Sequence, residues 1–427
     1  MYLQHHKNTI DSIDTYFLIT TADYYQNTER IRYYTTFRMK YASDVLNRIS
    51  DKYITEEIQQ EEDDWNDFME LFGSEDDDCG VLDCDYEDIL DDNDKKKRWK
   101  HVRINWNYHV NQLLHEGYFQ NEYRMTYDSW KKLYNLLYPR LKPKRKVSPQ
   151  DMPVTVQLIV AVGIKWLTGS DLNSCRHIFK MSRTEVYRCA NKFLFAVLET
   201  KRLQIKLPKN QNQWDEVKLG FEKKSTRGCM SGCCGALDGI FIRTYRPRYT
   251  EVANVRSYYS GHYEHYGLNC QGMCDAYLRF LYFGIVAPGS TNDNVAYTRT
   301  GELKISIESL RLGDYVVGDA AYSVTEKLLV PFTGSQRDDP KQDAFNFYLS
   351  QLRIRIEMAF GLLVKKFRIL KKPMKQKLVT VSRIIMCCAQ LHNFIINNDG
   401  ENIVDDSNMS QIDVNNLNTV MNGEREP

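Results

Sequence analysis

The sequence predicts an α/β fold in which a mixed β-sheet flanked by helices follows an all-helical, helix-turn-helix-like segment. Hydrophobic residues keep helical spacing through much of residues 95–215. From about Cys229 the period becomes that of strands, with candidates over 233–243, 266–275, 278–287 and 314–318. Helical patterns over 292–310 and 343–366 follow. Because the middle two strands form a tight hairpin at Asp275 and Ala276 and the others alternate with helices, the sheet is expected to contain both strand directions.

The charge of the chain is unevenly distributed. Residues 56–94 contain 19 Asp or Glu and no Lys or Arg, whereas the other 388 residues carry 57 basic and 37 acidic groups, about +20. A body of that sign favours a polyanion such as nucleic acid, and the acidic block would bind a basic partner or cover the body. The composition, 42% hydrophobic and 26% charged, excludes a wholly disordered, collagenous or coiled-coil protein.

Four regions are expected along the chain. Residues 1–94, which include the acidic block 56–94, are expected to be poorly ordered, residues 95–215 to form a helical domain and residues 216–396 to form the α/β domain. Residues 397–427 contain eight Asn and few large apolar groups, so a disordered tail is expected. No stretch approaches the roughly 20 apolar residues of a membrane-spanning helix, and no secretory signal is visible, so an intracellular protein without a membrane partner is expected.

Three helices between residues 152 and 199 are joined by tight turns. An apolar helix covers 152–167, with a proline in its first turn, and a second covers about 172–179. The third begins at Ser182, where Glu185 three residues later completes a capping box. This arrangement resembles a helix-turn-helix unit, and a plain helical bundle that supports the next domain fits the pattern equally well.

Two groups of basic or polar residues are candidate DNA contacts. Near the start of the third helix, where a helix-turn-helix unit meets base edges, lie Arg183, Thr184 and Arg188. A basic run in the preceding proline-containing connection includes Lys144 and Arg145. That run would serve as a phosphate contact or a nuclear import signal, although a solvated linker is the more frequent explanation.

The eleven cysteines do not resemble a disulfide framework, because their number is odd and the chain is long. One spacing is compatible with zinc and comprises Cys229, Cys233, Cys234, Cys270 and Cys274. The last two alternate with other residues in a predicted strand and share one of its faces. We therefore favour small core residues over a zinc site.

Three acids occupy positions where an α/β enzyme presents catalytic groups. Asp238 lies within the first strand and is followed by Gly239, and Asp319 follows the fourth strand, at the edge where α/β sheets bind ligands. Glu357 borders the apolar stripe of the last long helix, from which its side chain would reach toward both aspartates. A single Asp at a strand end is more often a turn or cap residue, so the order of the three acids is the stronger signal.

Three converging carboxylates require cations, and their hard oxygen atoms favour Mg²⁺ or Mn²⁺. Two such ions about 3.5 to 4 Å apart suit phosphodiester chemistry, because one activates water or a 3′ hydroxyl and the other stabilises the leaving oxygen. This chemistry needs no side-chain nucleophile.

The stretch 235–393 carries seven motifs in a characteristic order. They are Gly235-Ala-Leu-Asp-Gly239; Tyr266-Gly-Leu-Asn269 with Gln271 and Asp275; Pro288-Gly-Ser-Thr-Asn-Asp293; Gly318-Asp-Ala-Ala-Tyr322; Pro331-Phe332; a helix with Asn346, Leu349, Ser350, Arg353, Glu357, Phe360, Gly361 and Phe367; and Leu391-His-Asn393. In this order they resemble the nuclease domain of PIF/Harbinger-type DDE transposases and of the Harbinger-derived nucleases.

The resemblance implies a ribonuclease H-like fold in which Asp238, Asp319 and Glu357 are the catalytic and metal-binding triad for two Mg²⁺ or Mn²⁺ ions. Asp293 falls in a family motif and is kept as an accessory acid for metal or DNA, with an N-cap of the following helix as the slightly favoured alternative. Arg353 would orient Glu357 or contact a DNA phosphate. His392 is expected to be a structural hydrogen-bonding residue rather than a base.

Some positions depart from the family pattern. Ile240 and Phe241 replace the Thr-His that usually follows the first Asp-Gly, Asn292 replaces a histidine, and Ala321 replaces a glycine. None of these changes removes a triad carboxylate. They leave altered metal or DNA handling open, as expected of a degenerate or domesticated copy.

The leading hypothesis is therefore a nuclear, divalent-metal-dependent DNA endonuclease of transposase origin, which cuts phosphodiester bonds and, where strand transfer follows, joins them. The resemblance implies double-stranded DNA as substrate, a Myb-like DNA-binding partner protein without which the chain would stay in the cytoplasm, and room for a homo-oligomer. The main alternative is a domesticated, catalytically inactive DNA-binding or scaffold protein. An acidic adaptor that binds a basic partner through residues 56–94 is ranked last.

Overall fold

The computed structural model describes residues 103–143, 154–334 and 340–400. The predictions made for residues 1–94, including the acidic block 56–94, lie outside these residues. So do Lys144, Arg145 and the greater part of the predicted tail.

Seven helices precede the sheet in the described part of the chain. They are α1 (Trp106–His115), α2 (Phe119–Tyr123), α3 (Tyr127–Leu141), α4 (Val156–Leu167), α5 (Leu172–Phe179), α6 (Arg183–Glu199) and α7 (Gln211–Lys224). Several begin where a side-chain oxygen accepts a hydrogen bond from a backbone N–H that has no partner within the helix. These capping residues are Asn105, Thr126, Thr155, Asp171, Ser182 and Asn210.

Local sequence signals placed α5 and α6 correctly. Helix α5 has the predicted bounds, and the capping box at the start of α6 is formed in both directions by Ser182 and Glu185. Helix α3 continues through Pro139 to Leu141. A proline is tolerated there because it lies in the last turn, where the loss of one backbone donor affects few following residues.

The sheet contains both strand directions, as predicted. Its strands are β1 (Cys233–Arg243), β2 (Tyr259–Ser260), β3 (His265–Cys274), β4 (Phe280–Pro288), β5 (Tyr315–Val317) and β6 (Leu328–Leu329). Strand β3 pairs antiparallel with β1, with β4 and, at its start, with β2. On its other side β1 pairs in parallel with β5, which pairs in parallel with β6.

The connection between β3 and β4 is longer than the predicted tight hairpin. Strand β3 ends at Cys274 and β4 begins at Phe280, so five residues form the turn. Asp275 closes it, because its backbone N–H donates to the Arg279 carbonyl and its carboxylate accepts from the backbone N–H of Tyr277 and of Arg279. Leu278 has a left-handed backbone (φ 65°), a conformation that a tighter hairpin would not place there.

Four helices follow the first strands. They are α8 (Asp293–Thr298), α9 (Glu302–Glu308), α10 (Pro340–Lys366) and α11 (Leu378–Asp399). The prediction of one helix over 292–310 is wrong, because Gly301 has a positive φ of 54° that interrupts the helix between α8 and α9.

Helix α11 corrects two expectations. Over 22 residues it is long and apolar enough to cross a membrane by composition alone, whereas no such stretch was expected, yet 61% of its most apolar window is buried inside the protein. It serves as a core helix. It also reaches Asp399, inside the segment 397–427 predicted to be disordered, because the Asp399 carboxylate accepts hydrogen bonds from the backbone and side chain of Thr126 at the start of α3.

One hydrophobic core connects the helices and the sheet. It runs from Trp106 and Trp130 through α4 and α6 to the buried faces of β1, β3, α10 and α11. Helices α4 and α6 approach closely at Gly163, where a Cβ would lie 2.1 Å from Cγ of Phe193. The helices that precede the sheet and the sheet itself belong to one compact unit, so the structure does not set the predicted helical domain apart.

Candidate active site

Asp238, in the middle of β1, and Asp319, two residues after the end of β5, come from neighbouring strands of the sheet. Strands β1 and β5 are parallel neighbours in which Ala236 is paired with Val317. Each aspartate follows its paired residue by two positions, so both side chains are on the same face of the sheet. The Asp319 carboxylate contributes to raising the pKa of Asp238, which confirms that the two groups are close.

Each of these two carboxylates accepts one hydrogen bond from the backbone. Asp238 Oδ1 accepts a hydrogen bond of 2.8 Å from the Gly239 N–H, and Asp319 Oδ1 accepts one of 2.6 Å from the Ala320 N–H. Burial, the largest cause, and the charges of Asp319 and Asp293 together raise the pKa of Asp238 to about 8. At neutral pH the Asp238 carboxyl therefore holds a proton, unless a cation is present to stabilise the charged form.

Helix α10 covers the face of the sheet from which Asp238 projects. Asp238 lies opposite Gly272 of β3, and a Cβ on Gly272 would lie 2.8 Å from Phe360 of α10. Glu357 is on the same helix, three residues before Phe360. Its carboxylate is ion-paired with the guanidinium of Arg353. The Arg353 charge also lowers the pKa of Asp238, so this side chain lies near both acids.

The structure brings the two aspartates together and pairs the third acid with an arginine. In the residues that the structure describes, no three His, Cys, Asp or Glu side chains are grouped closely enough to hold a metal ion. The ion pair between Arg353 and Glu357 gives a physical reason, because it satisfies the carboxylate from within its own helix. Of the two roles predicted for Arg353, the geometry matches orientation of Glu357.

Asp293 lies on the opposite face of β1 and is held by a network of amides. Its Oδ1 accepts hydrogen bonds of 2.9 Å from Asn269 Nδ2 and 3.1 Å from Gln271 Nε2. The Tyr322 hydroxyl donates to Gln271 Oε1 at 2.8 Å. Four residues from three separate motifs therefore meet, and a Cβ on Gly239 would lie 2.0 Å from Asp293 Oδ1, so only glycine fits there.

The favoured alternative for Asp293, an N-cap of the next helix, is wrong. The N-cap of α8 is Asn292, whose side chain accepts from the Val295 N–H, and Asp293 is the first helical residue. Asn292 thus has a structural role at a position where the family usually has histidine. The accessory role of Asp293 stays a prediction.

The sequence pattern assigned no role to Asn269, Gln271 and Tyr322, although all three belong to recognised motifs. A signal for the first two was present: they are polar, lie two residues apart and share one face of an otherwise apolar, buried strand. A buried polar pair on one strand face requires hydrogen-bond partners. The partners come from α8 and from the segment after β5, which the sequence alone could not place.

The Leu391-His-Asn393 motif binds the turn between β3 and β4. His392 is fully buried, burial lowers its pKa to about 3, and its Nε2 lies 2.8 Å from the Leu278 carbonyl, so the neutral ring donates to it. Asn393 accepts from the Phe280 N–H and donates to the Phe280 carbonyl, both at 2.7 Å. The prediction that His392 is structural is confirmed.

The remaining predicted residues are three at the start of α6 and five cysteines. At the start of α6, Arg183 and Arg188 are exposed and Thr184 is half-buried, and their DNA contacts stay predictions. Cys270 and Cys274 are fully buried, as expected of core residues, and burial raises the pKa of both thiols. Cys233 and Cys234 are also buried, whereas Cys229 is exposed.

Residues 237–393 match the family described as DDE superfamily endonuclease. The matched segment contains Asp238, Asp319 and Glu357 and extends from β1 to the Leu391-His-Asn393 motif. This part of the chain is therefore similar to the DDE superfamily endonucleases, and the resemblance drawn from the motifs is confirmed.

A curated relative extends the similarity beyond that segment. Over 292 residues the chain is 27% identical to a protein named Protein ALP1-like from Arabidopsis thaliana, a match that covers 64% of this chain and 69% of that protein. No solved structure matches the chain. The chain is therefore similar to a DDE superfamily endonuclease over residues 237–393 and to Protein ALP1-like over a longer stretch.

Proposed function

We propose that the protein is a divalent-metal-dependent DNA endonuclease of transposase origin, with Asp238, Asp319 and Glu357 as its catalytic acids. The observation that carries the proposal is the placement of Asp238 in β1 and of Asp319 just after its parallel neighbour β5, inside the segment that matches the DDE endonucleases. The order of the strands, β4-β3-β1-β5-β6, supports a ribonuclease H-like arrangement.

The chemistry of the donor set fits Mg²⁺ or Mn²⁺. Two half-buried carboxylates lie together with one backbone donor each, and the pKa of Asp238 is raised to about 8, so charge at this edge is under-compensated. A divalent cation supplies the missing positive charge through hard oxygen ligands. Asp238 and Asp319 would hold the ions from the sheet and Glu357 from α10. When bound, the ions supply activation of the attacking oxygen and stabilisation of the leaving oxygen.

The protein's own residues prepare this edge. Asp238 would hold a bound cation as the deprotonated carboxylate, and Glu357 would leave its ion pair with Arg353 to become a ligand. The guanidinium is then available for a phosphate oxygen of the DNA, a planar two-point contact to which Arg is well suited. The network of Asn269, Gln271, Asp293 and Tyr322 fixes α8 and the segment after β5 against β3, and so limits movement of Asp319.

A catalytically inactive DNA-binding or scaffold protein is the second candidate. It is favoured by the ion pair of Glu357 with Arg353, which leaves the third acid satisfied without metal. The replacements at Ile240, Phe241, Asn292 and Ala321 point the same way, since the family usually has other residues there. Both candidates share DNA as partner, and both account for the charge of about +20 outside residues 56–94.

We further propose double-stranded DNA as the substrate and the nucleus as the place of action, with recognition of DNA ends shared with a Myb-like protein. Limited recognition by this chain alone would explain the need for such a partner. Co-expression with candidate Myb-like proteins and imaging of the tagged chain test this: the proposal requires nuclear accumulation to depend on the partner.

Nicking of a supercoiled plasmid tests the enzymatic proposal. Purified full-length protein is assayed with Mg²⁺, with Mn²⁺ and with EDTA, beside Glu357→Gln and the matched control Glu308→Gln on the exposed face of α9. The proposal requires metal-dependent nicking by the wild type and by the control, and loss of at least 100-fold in Glu357→Gln. Equal nicking by Glu357→Gln, or metal binding and nicking both absent from the wild type, would support the inactive candidate.

A further inference from the structure

An exposed strip of tyrosines and basic residues follows directly after β1. It consists of Tyr245, Arg246, Arg248 and Tyr249 together with Lys375, which comes from the segment between α10 and α11. The two segments are held side by side, because the Tyr245 N–H donates to the Met374 carbonyl at 2.9 Å and the Met374 N–H donates to the Arg243 carbonyl at 3.2 Å. We call these five residues the Tyr–Arg strip.

Both tyrosine rings of the strip face solvent and both have a cation over them. Tyr245 is 52% exposed and Tyr249 is 74% exposed, values unusual for aromatic side chains. Lys375 Nζ lies 5.4 Å from the centre of the Tyr245 ring, and the Arg246 guanidinium lies 5.4 Å from that of Tyr249. The Arg246 Nη2 also donates to the Tyr249 hydroxyl at 2.7 Å, which fixes the orientation of this ring.

The surroundings of the strip are strongly basic. Exposed Lys and Arg side chains in the two segments are Arg246, Arg248, Arg256, Arg368, Lys371, Lys372, Lys375 and Lys377. The acid within the same two segments, Glu251, already accepts hydrogen bonds from the backbone N–H groups of Arg248 and Leu378. The field at this surface is therefore positive, and it suits a phosphate backbone.

We propose that the Tyr–Arg strip binds an unpaired segment of DNA by stacking bases on Tyr245 and Tyr249 while the basic side chains contact the phosphates. Exposed rings interleaved with cations are the composition of surfaces that bind single strands, whereas a paired duplex hides the faces of its bases from such rings. Tyr245 follows Asp238 by seven residues, at most about 24 Å of extended chain, so one DNA molecule can reach both places. The choice of DNA over RNA rests on the proposed function.

Fluorescence anisotropy in EDTA tests the strip without any cleavage. The full-length protein is titrated onto a labelled 20-nucleotide single strand and onto a hairpin duplex of the same sequence. The variants are Tyr245→Ala/Tyr249→Ala, Tyr249→Phe, and Tyr108→Ala, which removes an exposed ring on α1 far along the chain. Since one stacked base contributes about 1–3 kcal/mol, the double variant should bind the single strand at least tenfold more weakly and the duplex less than threefold more weakly. Tyr249→Phe and Tyr108→Ala should stay within twofold of the wild type.

Two results would overturn the inference: single-strand binding by the double variant within twofold of the wild type, or an equal loss on the duplex. Replacing Arg246 and Lys375 by Gln gives a second readout, because the slope of log affinity against log salt should fall by about 0.7 for each lost phosphate contact on a single strand. An unchanged slope would also count against the strip. If the strip binds as expected but no nicking is found, the proposed function fails and this inference stands.

Discussion

Two aspartates of the sheet, Asp275 in the turn after β3 and Asp238 in the middle of β1, have opposite surroundings. Asp275, at the hairpin end, is 1% exposed, accepts from two backbone N–H groups and is ion-paired with Arg279 at 2.6 Å. Asp238 has one backbone donor, and burial and then the charges of Asp319 and Asp293 raise its pKa to about 8. A carboxylate with its own donors stabilises a fold, whereas one placed among like charges is retained at a cost to stability and indicates a site.

The largest effect on stability is expected from removing the satisfied acid. Asp275→Ala leaves the Arg279 guanidinium and two turn N–H groups without their acceptor, so we expect a loss of about 3–5 kcal/mol in the free energy of unfolding. Urea denaturation followed by circular dichroism measures it. Asp275→Asn keeps an acceptor for the turn and should lose less. A loss below 1 kcal/mol for Asp275→Ala would mean that Asp275 does not stabilise the fold in the way that its hydrogen bonds indicate.

The next effect is expected at the clamp between α11 and the hairpin. Asn393→Ala removes both hydrogen bonds to the backbone of Phe280, which costs about 2 kcal/mol in the free energy of unfolding. Asn398→Ala, on the same helix, loses a hydrogen bond within its own helix and an exposed one from Lys132, and is the matched control. Equal stability of the two variants in urea would show that Asn393 does not clamp the hairpin.

Replacing Asp238 should have the opposite effect and raise the free energy of unfolding. In the folded protein the pKa of Asp238 is about 8, above the value near 4 of an unfolded chain, so rising pH destabilises the fold between these two values. Asp238→Asn cannot ionise. In EDTA we expect it to gain about 1–2 kcal/mol over the wild type between pH 5 and pH 8, after allowance for solvent screening. Thermal unfolding at both pH values measures the gain, and a difference that does not change with pH would contradict it.

The smallest effect is expected from releasing Glu357. Arg353→Met removes the ion pair and keeps the apolar stem, so Glu357 is free to turn toward the aspartates. We expect Mn²⁺ to bind about three to ten times more tightly, a change of about 1 kcal/mol, with little change in stability because both side chains are about a quarter exposed. Weaker binding would instead mean that Arg353 positions Glu357 for the metal.

Features encoded within a few residues were predictable from the sequence. The capping box of Ser182 and Glu185 gave the start of α6, and the alternation around Asp238 gave the bounds of β1. The strand positions of Asp238 and Asp319 were also predictable, whereas their adjacency follows from the parallel pairing of β1 with β5 in the structure. Motif order then added Glu357 and the family.

Features that depend on contacts between distant residues were not predictable. The helical pattern over 292–310 gave no warning of the break at Gly301, and β6, with two residues, is too short to have a period. The contact of Asp293 with Asn269 and Gln271 depends on how α8 packs on β3. The pairing of Glu357 with Arg353 is one of two orientations available to a helix-borne carboxylate, and sequence spacing allows both.

We propose that Asp238 and Asp319 form a metal site. Calorimetric titration with Mn²⁺ at pH 8 tests this proposal most directly. Wild type, Asp238→Asn, Asp319→Asn and the half-exposed control Asp215→Asn on α7 are compared. We predict that the wild type and the control bind Mn²⁺ with the same affinity and that either site variant binds at least 100-fold more weakly. Absence of binding to the wild type at millimolar Mn²⁺, or equal binding by Asp238→Asn, would contradict the claim.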